Sequence, residues 1–300
     1  MRKSLIALAA VLAVGFGANA QASEGATPPI ENWSWTGFFG SFDKASAQRG
    51  LQVYTEVCSS CHSLKRVHYR NLTELGYSED AVKEFAAQFE VEDGPNDDGE
   101  MFTRPAKPSD HFVSPFPNEQ AARVSNGGAL PPDLSLIIKS RAHGQGNIVK
   151  NFGMWLSGRG TASGADYVYH LLTGYKEAGE AEAYMREKWD EEKAAGVLTE
   201  EQIAKGFSFH LPEGKHFNEW FAGHAISMPK PLDEEYVEYA DGTPATLEQE
   251  VRDVVTFLAW ASEPELEMRK EMGLKVLLFL VVLLGLAIAA KRRLWAGIKH

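Results

Sequence analysis

The chain has only two cysteines, and they stand three positions apart with a histidine behind the second: Cys58-Ser59-Ser60-Cys61-His62. C-x-x-C-H is the attachment pattern of a c-type haem. The two thiols add to the porphyrin vinyl groups, a helical step between them matches the vinyl separation, and the adjacent imidazole reaches the iron. Covalent attachment suits a cofactor that cycles many times without dissociating. Three other uses of the pair compete with this one. A thioredoxin-like redox pair would open a helix that follows a strand, whereas here the helix precedes the motif. Its signs are Leu51, Tyr54, Val57 and Cys58 on one face of a segment running from Asp43 to Val57, with Ser41 or Asp43 as the cap. A plain disulfide suits an exported chain. A structural zinc site needs four ligands, and His210 with His216 is the only distant pair at finger-like spacing.

The two ends read as targeting and anchoring segments. Met1-Arg2-Lys3 is a basic start, Leu5 to Phe16 is apolar, and Ala18-Asn19-Ala20 has the small-residue spacing of a signal-peptidase site. The expectation is a signal peptide over 1–20, cleaved near 20–22. Near the other end, Gly273 to Ala290 is apolar except for Lys275, and Lys291-Arg292-Arg293 follows at once. That is the pattern of a transmembrane helix with a cytoplasmic basic flank, with Lys275 snorkelling and Trp295 at the boundary. The expected organisation is therefore a periplasmic haem domain over 21–265, a linker and membrane helix over 266–290, and a cytoplasmic tail over 291–300. An exported body on a single-pass anchor follows.

Charge narrows the partners. Seven of the 30 basic side chains lie in the two end segments and none of the 41 acidic ones do, which leaves the body at −18. A field of that sign excludes nucleic acid as a partner and attracts basic proteins, an attraction that salt weakens. Along the body, Glu90 to Glu100 is acidic with Gly, Pro and Asn, and reads as a solvated loop. Glu177 to Glu192 reads as a surface helix. Thr246-Leu247-Glu248-Gln249 has the form of a capping box ahead of an apolar stripe of Val251, Val254, Val255, Leu258 and Ala259. Glu263-Pro264 interrupts that stripe, and a new helix from about Pro264 can run into the membrane segment.

His62 leaves one iron position to fill. The candidates are Met101, Met154, Met185, Met228, Met268, Met272 or a second histidine. Met228 stands out because Pro229 and Pro231 stiffen its loop, while Met268 and Met272 lie close to the membrane helix. His/Met ligation raises the reduction potential and closes the iron to outside ligands, which is the chemistry of electron transfer.

Four stretches give a resemblance: RGLQVYTEVCSSCHSLK around the haem motif, NGGALPPDLS at Asn126 to Ser135, AISMPKPL around Met228, and FLAWASEPELEMRKEMGLK leading into the anchor and KRRLWAGIK. In that order they make the chain similar to the bacterial form of the cytochrome c1 family, the haem-bearing subunits of the cytochrome bc1 complex (ubiquinol–cytochrome c reductase). The resemblance implies a mainly α, cytochrome c-type haem domain with long irregular insertions plus one C-terminal transmembrane helix, and it implies that the membrane is the bacterial inner membrane. It implies one haem c on Cys58 and Cys61, His62 and Met228 as axial ligands, and Asn126, Arg141 and Tyr167 around the haem and its propionates. It further implies cytochrome b and the Rieske iron–sulfur protein as partners, with a soluble basic c-type cytochrome or equivalent carrier accepting the electron. The chain would then act as the electron-transfer subunit of a quinol–cytochrome c oxidoreductase, with no catalytic site of its own.

Departures from the family pattern are the segments around 142–164 and 177–208, the absence of any further cysteine for a disulfide, and Lys230 where a proline is common. The rival readings are a free-standing membrane-tethered shuttle, a haem peroxidase and a gas sensor. The last two require an open sixth position.

Overall fold

A computed structural model describes residues 28–142, 149, 153–154, 159 and 162–297. The expected signal peptide, its cleavage site and most of the 142–164 segment lie outside the described residues. In chain order the elements are α1 (Lys44–Glu56), short 3-10 segments at Cys58–Ser60 and Tyr69–Leu75, α2 (Glu79–Ala86), β1 (Glu90–Asp93) and β2 (Phe102–Pro105). Then come α3 (Glu119–Ser125), α4 (Ile137–Ser140), α5 (Ala162–Thr173), α6 (Ala178–Ala194), α7 (Glu200–Lys205), β3 (His216–Phe217), β4 (Ala225–Ile226), α8 (Leu247–Ser262) and α9 (Leu266–Trp295). The molecule is mainly α, with two small antiparallel hairpins.

The crossing of α1 and α8 organises the head. Asp43, one of the two expected caps, accepts a hydrogen bond from Ser46 N at 3.1 Å and starts α1. Gly50 lets the helices touch, since a Cβ there would lie 2.0 Å from the Asp253 carbonyl oxygen. The Asp253 carboxylate is fully buried at this crossing and accepts from Ser46 Oγ at 2.6 Å and Arg49 Nε at 2.8 Å. A buried charge is tolerable only when so partnered. Below the crossing, Tyr54 packs against Phe257, and Tyr69 stacks on Phe112 with centroids 4.5 Å apart.

The expected stripe of α8 is buried throughout: Val251, Val254, Val255, Leu258 and Ala259. Its capping box is half made. Thr246 Oγ1 accepts from Gln249 N at 3.3 Å, but the Gln249 amide turns away and donates to Asp253 at 3.0 Å, drawn by the buried carboxylate. The acidic stretch from Glu90 corrects the loop expectation. Glu90–Asp93 pairs with Phe102–Pro105, and only the tip between them is a turn. The reason is Arg104, which bonds Asp93 across the strands and Asp110 at 2.6 Å and so neutralises the acids of the hairpin base. The second acidic stretch is the expected surface helix, α6, whose one buried residue is Ala181.

Glu263 and Pro264 end α8, and α9 begins at Leu266 and continues through the basic cluster to Trp295. It is the one helix among the described residues long and apolar enough to cross a membrane. Leu278, Phe279, Val281 and Leu284 all stand exposed on it. Surface of that kind is what a bilayer covers.

Candidate haem site

The C-x-x-C-H turn grows out of the end of α1. Val57 N still bonds Val53 O, and then the carbonyl of Cys58 accepts from both Cys61 N at 3.2 Å and His62 N at 2.9 Å. Ser59 and Ser60 fold their hydroxyls back onto Thr55 O and Val57 O at 2.7 and 2.8 Å. The turn is thus tied to its own helix, with both thiols free and half-buried. Burial, and then the neighbouring Cys61, push the Cys58 thiol up to about 12. A thiol held neutral in this way is unlike the low-pKa cysteine of a thioredoxin-like pair. His210 and His216 are both exposed, and no three His, Cys, Asp or Glu side chains gather as a metal site among the described residues.

His62 is oriented from another part of the chain. Its Nδ1 lies 2.8 Å from the carbonyl oxygen of Pro132. A carbonyl only accepts, so Nδ1 carries the hydrogen and the lone pair is left on Nε2. Burial lowers the imidazole pKa against the opposing pull of the Pro132 carbonyl and the Asp133 charge, which keeps the ring neutral. A neutral ring with one nitrogen pinned and the other free is the form that binds iron. Pro132 is in turn fixed by Asp133, which accepts from Ser63 Oγ at 2.8 Å, Lys65 N at 2.9 Å and Ser135 N at 3.0 Å. Leu134 N completes the clamp with a bond to Ser63 O at 2.8 Å. From the inside, Tyr54 OH donates to His62 O at 2.9 Å.

Met228 follows β4 and is half-buried. Its carbonyl accepts from Tyr175 OH at 3.1 Å. The loop ahead of it is organised by the fully buried Asn218, whose amide donates to Leu171 O at 2.7 Å and accepts from Trp220 N and Phe221 N, both at 3.1 Å. Asn218 N also bonds His224 O at 3.0 Å. These bonds hang the Met228 loop on the C-terminal end of α5. On the same helix, half-buried Tyr167 has its pKa raised by burial and lowered by the Arg141 guanidinium, with burial dominant. Tyr175, also pushed up by burial, has Tyr167 as its next neighbour in charge.

The structure therefore joins Cys58, Cys61 and His62 in one turn, and links Arg141 and Tyr167 to the Tyr175–Met228 side. Asn126 caps the C-terminus of α3 and donates its amide to Ala122 O at 2.7 Å, the local role of a turn residue. The roles of Pro132 and Asp133 within the PPDLS run, and those of Tyr175 and Asn218, were not foreseen from the sequence. A Pro-Pro-Asp-x-Ser run can signal a carboxylate-capped loop. For Asn218 and Tyr175 the contacts are with backbone N–H and carbonyl groups, which leave no mark in a sequence.

A mainly α head built on a crossed helix pair, a C-x-x-C-H turn with its imidazole pinned from outside, and one apolar C-terminal helix define a c-type cytochrome with a candidate membrane span. More narrowly, the chain belongs to the cytochrome c1 family, whose model matches residues 33–298. It is 46% identical over 301 residues to cytochrome c1 of Rhodospirillum rubrum, covering 100% of this chain and 98% of that one. It is 44% identical over 289 residues to a mitochondrial cytochrome c1 haem protein of Solanum tuberosum, covering 95% and 93%. A cytochrome b/c1 protein of Bradyrhizobium diazoefficiens is 44% identical over 297 residues, which are 97% of this chain and 39% of that larger protein. Proteins of this family carry haem.

Proposed function

We propose that the chain is the haem-bearing subunit of a cytochrome bc1 complex, taking single electrons from the Rieske iron–sulfur protein and passing them to a soluble c-type cytochrome. The observation that carries this reading is the His62 ring, held by Pro132 in the tautomer an iron ligand needs. The donor set fits one haem c: Cys58 and Cys61 would carry its thioethers, and His62 Nε2 and the Met228 sulfur would be its iron ligands. When bound, the haem supplies a one-electron iron couple whose potential is raised by His/Met ligation. Around it, Arg141 offers a positive charge suited to a propionate, and Tyr167 a half-buried ring. Asn126 is the weakest of the three, because its amide is already engaged with its own helix.

The other residues set the conditions for transfer. The Pro132 carbonyl fixes the imidazole plane, and Tyr175 fixes the backbone at Met228, so neither ligand has to reorganise during a transfer. The acidic body steers a basic carrier, and α9 holds the head at the membrane, with the head in the periplasm and the basic tail in the cytoplasm. The fused b/c1 relative supports cytochrome b as a neighbour.

Purification of the solubilised assembly tests the reading. Co-isolation with b-type haems and an iron–sulfur protein is expected, together with one c-type haem that binds carbon monoxide weakly when reduced. A lone chain with a c-type haem would indicate a free-standing shuttle instead. Tight carbon monoxide binding would indicate an open iron and overturn the Met228 assignment.

A further inference from the structure

The segment between Trp33 and Phe42 turns back sharply and presents two adjacent aromatic side chains to solvent. Phe38 is 45% exposed, and Phe39, at 84%, is more open than Val281 on α9 at 68%. Their rings meet edge to face with centroids 5.1 Å apart. The base of the turn is rigid. Trp33 and Trp35 stack in the core 4.9 Å apart, and Gly40 occupies a place where a Cβ would fall 2.0 Å from Thr36 O. An exposed pair of phenylalanines on a rigid mount is not loop noise, and it needs an apolar partner.

Its position says which partner. The turn is fastened to the first turns of α9. Lys270 Nζ donates to Trp35 O at 2.6 Å and Gly40 O at 2.9 Å, and Glu267 Oε1 accepts from Phe42 N at 2.7 Å. Phe38 and Phe39 share an open cleft with Leu274, two residues ahead of Val276, where the uninterrupted apolar run begins. The 18 residues from Gly273 to Ala290 span about 27 Å at ~1.5 Å per residue. A hydrocarbon core is ~30 Å thick, with roughly 5–7 Å of headgroup layer on each side. The short run draws the bilayer boundary up to the level of Leu274, and the aromatic pair lies at that level.

We propose that the Phe38–Phe39 turn is a second membrane contact, inserted into the headgroup layer of the leaflet under the head. Together with the Lys270 and Glu267 latches it fixes the tilt of the haem domain over the bilayer, which one helix alone leaves free. The inference rests on α9 crossing the membrane.

The test uses the haem-loaded full chain in phosphatidylcholine nanodiscs, where Cys58 and Cys61 are tied up as thioethers. Nitroxide labels go on Phe39→Cys, on Leu278→Cys within the apolar run, and on Glu84→Cys on the exposed face of α2. Collision with oxygen against a water-soluble nickel chelate reports lipid or water. The proposal expects an oxygen-to-nickel ratio at Phe39→Cys several-fold above that at Glu84→Cys and approaching that at Leu278→Cys. A ratio equal to Glu84→Cys, with Leu278→Cys lipid-like, overturns the aromatic contact alone. Water-like values at both Phe39→Cys and Leu278→Cys would overturn the spanning of α9 itself. A label at Phe39→Cys closed to both reagents marks a protein contact and also overturns the proposal.

Discussion

The turn that carries His62 and the loop that carries Met228 serve the same proposed iron and are held in opposite ways. The turn extends a helix, folds its serines back onto that helix, and is clamped by Asp133 and Pro132 from a loop some 70 residues on. Its foundation is the α1–α8 crossing, where apolar packing dominates. The Met228 loop follows a two-residue strand and hangs on hydrogen bonds, from Tyr175 to its carbonyl and from Asn218 to Leu171. One ligand stands on packed helices, the other on a polar scaffold. Damage to the first should therefore unfold the head or lose the haem, whereas damage to the second should loosen one ligand and spare the fold.

The largest expected effect comes from the turn itself. His62→Ala should abolish the c-type haem stain on the chain in a denaturing gel; an unchanged stain would show that the turn tolerates loss of its ligand. Next is the foundation. Gly50→Leu drives a side chain into the Asp253 backbone, and overpacking at such a crossing costs about 1–3 kcal/mol. Thermal unfolding followed by circular dichroism should show the drop, with the Met228 loop intact until the head melts.

A smaller effect separates the clamp from the foundation. Burial pushes the Asp133 carboxyl up, but hydrogen bonds from Ser135, Lys65 N and Ser63 outweigh it, so its folded pKa lies below the ordinary value. A depressed pKa contributes stability that is complete above the unfolded value of about 3.9 and is lost as pH falls through the folded value. The stability gap between the wild type and Asp133→Asn, read by denaturant titration, should be full at neutral pH and should close below about pH 4. The smallest effect is on the polar scaffold: Tyr175→Phe removes one hydrogen bond, worth roughly 0.5–1.5 kcal/mol, and should leave haem content unchanged.

The same contrast explains what the sequence revealed. The C-x-x-C-H turn, the Asp43 cap, the stripe of α8 and the apolar run of α9 are local patterns, and each appears where its spacing put it. The β1–β2 hairpin did not show, because its acids read as solvated until Arg104 is brought across to pair with Asp93. The Gln249 half of the capping box was lost to a buried carboxylate whose burial only the α1–α8 crossing creates. Around the site, Pro132 accepts through its carbonyl and Tyr175 donates to the carbonyl of Met228, and a carbonyl is a group every residue type has. Met228 was visible as a methionine followed by Pro229 and Pro231, a choice among several methionines that the family resemblance then strengthened.

The central claim is that these two differently built regions supply the two axial ligands. It is tested most directly by carbon-13 methyl-methionine NMR of the reduced full chain in detergent. The account predicts one methyl strongly shifted upfield by the porphyrin ring, lost in Met228→Leu and kept in Met101→Leu, Met154→Leu and Met185→Leu. A shifted methyl that survives Met228→Leu, or disappears with one of the others, would contradict it.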